Sequence, residues 1–103
     1  MCRDADRVFM KRTGIDESHL VIDRLSHELA CLIDLGVLAS EEEEAFSAVL
    51  QDIQALAVRV RSADMQRREE RLQALWSLHE LLRMIGLLAA DLDLAYQRLE
   101  FAA

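Results

Sequence analysis

Apolar residues return at three- and four-residue steps in three separate stretches of the chain. In the first, Ile22, Leu25, Leu29, Leu32 and Ile33 share one helical face, with Val21 and Leu35 on its margin and Asp23, His27 and Asp34 turned away. That spacing predicts an amphipathic helix over 16–35. Asp16 stands where a side-chain cap is wanted, and Ile15 with Leu20 has the spacing of a hydrophobic staple. Gly36 follows where a left-handed C′ residue is expected, and Val37 is placed to fold back on Leu32 in a Schellman ending.

The second stretch, Phe46, Val49, Leu50, Ile53, Ala57 and Val60, predicts a helix over 40–62. Ser40 with Glu43 reads as a capping box, and Glu41 to Glu44 set negative charge against the positive end of the helix dipole. The turn from Gly36 to Ala39 is short, so the two helices form an antiparallel hairpin. Continuing the second seam past Val60 lands on Arg67 and Arg71, which places a break at Ser62-Ala63-Asp64. The rival is one continuous helix of about 45 residues, unusual in so small a domain.

The third stretch predicts a helix over 65–100. Leu75, Leu78, Leu82, Ile85, Ala89, Leu92, Tyr96 and Leu99 follow the a/d rhythm of shallow-angle packing, and Leu81, Leu88 and Ala95 widen the seam on one flank. Near Gly86 the helix is apolar on nearly every side. Residues 1–14, with Val8, Phe9 and Met10 among charges, are a possible short extra helix needing a surface from elsewhere. The fold expected is all-α: one domain over 1–103, a three-helix bundle made of a hairpin and a long C-terminal helix, dimeric through the latter.

Composition supports this and narrows the partners. The 103 residues contain no proline and three glycines, too little punctuation for many short strands. A net charge of −7 repels phosphate backbones and anionic lipid, so neither nucleic acid nor membrane is an expected partner. The turn Leu35-Gly36-Val37-Leu38 resembles helix-turn-helix only superficially, because the would-be recognition helix opens on four glutamates. Met84 to Ala90, the most apolar run, is far shorter than the roughly 20 residues of a membrane span. Cys2 and Cys31 form no framework spacing and the first residues are charged, from which a reduced, cytoplasmic protein is expected.

Candidate chemistry is sparse. Asp23, His27 and Cys31, four apart on one helix face, bring two metal-binding side-chain types together but lack a strong fourth ligand. They read better as a polar margin with a half-buried thiol. His79-Glu80 has the groups for acid–base catalysis, yet no nucleophile pairs with it and no glycine-rich loop is present to cradle phosphate. Arginines at 59, 61, 67, 68 and 71 are diluted by Asp64, Glu69 and Glu70 and lack interleaved aromatics. No enzyme, cofactor or metal is expected.

What remains is helix surface. The third helix, at roughly 50 Å, overhangs a hairpin whose arms run about 30 Å. Gly86 costs the helix about 1 kcal/mol relative to alanine, which either close approach of another backbone or a glycine tolerated inside the bundle would explain. Leu78, Leu82, Ile85, Gly86, Ala89, Leu92 and Tyr96 are therefore the expected partner or dimer interface. The function expected is that of a non-catalytic regulatory or adaptor protein that acts by protein–protein binding as a homodimer. Small bacterial anti-activators that sequester a transcription factor, and secretion chaperones, have this general character; the alternative is a bundle that binds a small molecule or metal.

Overall fold

The computed structural model describes residues 15–102, and the possible extra helix within 1–14 lies outside them. Three helices follow one another: α1 (Ile15–Asp34), α2 (Ser40–Ser62) and α3 (Arg68–Ala102). Each packs on the other two, forming the expected three-helix bundle. No helix among the described residues is long and apolar enough to cross a membrane.

The core comes from the faces that periodicity selected on α1 and α2. Ile22, Leu25, Leu29 and Leu32 of α1 are buried, as are Leu50, Ile53, Ala57 and Val60 of α2, with Ile33, Phe46 and Val49 half-buried against them. Leu38, from the connecting turn, closes the end of this cluster. Among the described residues no buried side-chain nitrogen or oxygen lacks a hydrogen-bond partner, as a thin apolar core requires.

The helix ends carry local chemistry. At the close of α1 the Gly36 N–H donates to the Ile33 carbonyl at 3.0 Å and the Val37 N–H to Leu32 at 3.4 Å, the two bonds of a Schellman ending. Gly36 has φ +69°, and a Cβ there would meet nothing within 4 Å, so only backbone strain would oppose a side chain. Gly86, by contrast, lies inside α3 with ordinary helical backbone and equally open space around its missing Cβ. Opposite signs are therefore expected: Gly36→Ala destabilises the monomer by about 1 kcal/mol, whereas Gly86→Ala stabilises it by about the same amount. Chemical denaturation of dilute protein checks both.

Two caps differ from expectation. α1 begins at Ile15, which puts Asp16 within the helix rather than at its cap. α2 is capped by Ala39, in extended backbone, rather than by Ser40; the Ala39 N–H donates to Glu42 Oε1 at 3.2 Å. Only the returning half of a capping box exists, since alanine has no side-chain acceptor.

Glu42 is fixed at that position by a second partner. Arg98 of α3 donates to both its carboxylate oxygens at 2.7 Å, tying the start of α2 to the end of α3. These hydrogen bonds, with that from Ala39, hold the Glu42 carboxyl at about 2, below its ordinary 4.5. A depressed carboxyl stabilises the fold fully above its unfolded value and loses that effect as pH falls from about 4.5 toward 2. Arg98→Ala should lower the melting temperature by a few degrees at neutral pH, and the difference from wild type should close near pH 2. Circular-dichroism melts across that range test it.

The break between α2 and α3 falls where the seam fails. α2 ends at Ser62, whose hydroxyl donates to the Val58 carbonyl at 2.7 Å, and α3 starts at Arg68, three residues later than expected. Between them the Gln66 N–H donates to Asp64 Oδ1 at 3.0 Å and the Asp64 N–H to Glu70 Oε2 at 2.6 Å. Met65 is buried beneath the corner. No non-glycine residue among those described has positive φ, which is why the turn needs no glycine.

Candidate binding surface

α3 has 35 residues against 20 in α1 and 23 in α2, and at roughly 1.5 Å per residue it spans the 55 Å long axis of the molecule. Its inward face runs Ala74, Leu78, Leu81, Ile85, Leu88, Leu92 and Ala95, all buried, with Tyr96 and Leu99 half-buried. This is again a four–three alternation, but its centre line is Leu81, Leu88 and Ala95, the residues expected only to widen the seam. The helix is thus rotated relative to the expected seam. Leu75 and Leu82 are 43% and 47% exposed, and Ala89 is exposed as well.

The seven expected interface residues consequently divide. Leu78, Ile85 and Leu92 lie in the core of the monomer, Tyr96 is half-buried, and Leu82, Gly86 and Ala89 face outward. Burial, and then the charges of Glu28 and Cys31 on α1, raise the Tyr96 hydroxyl above its usual range. The outward three are joined by large apolar side chains that the seam did not single out. Leu72, Trp76, Leu87 and Leu94 are all exposed, Trp76 at 77%. At 100° per residue these side chains and the outward three spread across the face opposite the Leu81–Leu88–Ala95 line.

Polar groups border this surface. Glu80 and Arg83 pair along α3; the hydrogen bond lowers the carboxyl and raises the guanidinium. His79 is exposed, and beside it Leu75 and Trp76 line a shallow depression. At the α2–α3 corner an open groove of about 540 Å³ lies among Arg59, Ser62, Glu70, Gln73, Trp76 and Ser77. Its walls mix single charges and hydroxyls without a nucleophile–base pair.

The candidate metal trio separates in detail. His27 Nε2 and Cys31 Sγ are 3.8 Å apart, while Asp23 lies 4.0 Å from His19 instead. Among the described residues no group of three or more histidine, cysteine, aspartate or glutamate side chains is arranged to hold a metal ion. No protein-family model matches the chain, and neither a curated protein nor a solved structure was found to resemble it.

Proposed function

We propose that the protein acts by binding protein surfaces through the outward face of α3, without chemistry of its own. The observation that supports this is the row of large exposed apolar side chains along one helix, Leu72, Leu75, Trp76, Leu82, Leu87 and Leu94. Scattered single leucines are ordinary on a surface; six large apolar side chains exposed on the outward half of one helix are a concentration of the kind that marks an interaction site. Tryptophan is the residue type most enriched at interface hot spots. The role fitting such a face is that of a cytoplasmic regulator or chaperone that masks a partner's apolar helix, with the acidic groups around it setting orientation and association rate.

The test is affinity capture from the native host's lysate with wild type, Trp76→Glu, Leu82→Glu and, on the exposed surface of α2, Val58→Glu. A specific protein retained by wild type and Val58→Glu but lost with the two α3 variants is the expected result. Capture unaffected by either α3 variant, with all four proteins equally helical, would overturn the proposal.

A further inference from the structure

We infer that a second copy of this chain occupies the outward face of α3, with the two α3 helices antiparallel and Leu82 at the two-fold axis. This names the partner for part of the face described above and rests on reading that face as a docking surface.

The inference comes from what an antiparallel pairing places opposite what. With Leu82 on the axis, a residue at position i lies level with position 164 minus i of the other copy, so the register follows from numbering alone. Leu75 then meets Ala89 of the second copy, a large side chain against a small one, twice over by symmetry. Gly86, which nothing in the monomer requires to be glycine, comes within one residue's rise of His79 of the second copy. Trp76 and Leu87 lie well to one side of this stripe, which leaves them open to another partner. In an isologous pair Leu75 of each helix therefore packs on the small Ala89 of the other.

Charge follows the same rule. Arg71, near the start of α3, is level with Asp93 of the second copy, near its end, and both are exposed in the monomer. Among the described residues Asp93 accepts only from Gln97, at 3.5 Å, and Arg71 makes no side-chain ion pair. A parallel pairing would instead set Arg71 against Arg71 and Asp93 against Asp93, so opposite signs select the antiparallel arrangement.

Charge reversal tests orientation and occupant together, read by sedimentation equilibrium between about 5 and 300 µM. Wild type is expected to dimerise. Arg71→Asp alone and Asp93→Arg alone should each weaken the dimer at least tenfold, because each homodimer then carries two like-charge pairs. Mixing the two variants in equal amounts should restore wild-type association, since both contacts of the mixed dimer pair opposite charges; a purely intrachain role cannot produce that recovery. A wild type that stays monomeric at the highest concentration, or single reversals that leave dimerisation unchanged, would overturn the inference. A monomer that still captures a lysate protein through Trp76 and Leu82 would retire the dimer and leave the proposed function standing, whereas a dimer with no such capture would do the reverse.

Discussion

Leu81→Ala is expected to destabilise the domain by ~3 kcal/mol, and Leu82→Ala, one residue on, by less than about 1 kcal/mol. Leu81 is fully buried and Leu82 is 47% exposed. Truncating Leu81 removes both its transfer free energy and its contacts, and leaves a cavity that helix backbones on all sides resist collapsing into. Leu82→Ala removes half-solvated surface and gains slightly in helix propensity. In a domain of this size each kcal/mol shifts the melting temperature by roughly 4–8 °C. The Leu81 variant should accordingly melt more than 10 °C lower, while the Leu82 variant stays within a few degrees. Dilute protein keeps self-association out of the comparison. Equal losses, or a greater loss at Leu82, would mean that α3 presents the other face to its neighbours.

That pair of residues also marks where the sequence stopped being legible. On α1 and α2 the polar residues sit together on one side, so Ile22, Leu25, Leu29 and Leu32, and likewise Leu50, Ile53, Ala57 and Val60, admit one inward face only. α3 carries two overlapping four–three stripes. One runs Leu75, Leu78, Leu82, Ile85, Ala89, Leu92, Tyr96; the other runs Ala74, Leu78, Leu81, Ile85, Leu88, Leu92, Ala95. They share Leu78, Ile85 and Leu92, and the periodicity of an isolated helix cannot choose between them. The buried stripe begins and ends on alanine, Ala74 and Ala95, where small side chains leave room for a neighbouring helix. Counting large apolar residues favours the wrong line for that reason.

The remaining differences are long-range. Nothing local distinguishes Glu42 from Glu43 as the residue that returns to the cap; Arg98, 56 positions away, engages Glu42. Trp76 lies outside either stripe, so helical periodicity does not mark it, although a lone tryptophan in a chain with 5% aromatics is itself a signal. The corner at Ser62–Asp64 was legible because a seam cannot run on through Arg67 and Arg71, even without glycine or proline to stop it.

Ile53→Asp carries the other large expected effect. Ile53 is fully buried in α2, the helix that joins α1 to α3, within a cluster built entirely of apolar side chains. A carboxylate introduced there has no cation or donor in the surrounding cluster, and its burial costs ~4 kcal/mol or more, enough to unfold a domain of marginal stability. The cost falls on the charged form, so the folded state would hold the new carboxyl protonated, with a value raised above that in the unfolded chain. The penalty is then smallest below the unfolded value of about 3.9 and grows as pH rises above it. The Glu42 carboxyl has the opposite sign, depressed by Arg98 and losing its stabilising effect on acidification. Far-ultraviolet circular dichroism should therefore show Ile53→Asp largely unfolded at pH 7 and regaining helix as pH falls toward 4, before the Glu42–Arg98 contact is lost. Wild type should remain fully helical across that interval. A variant as helical at pH 7 as at pH 4 would mean that solvent reaches position 53, and that α2 does not hold it sealed between its neighbours.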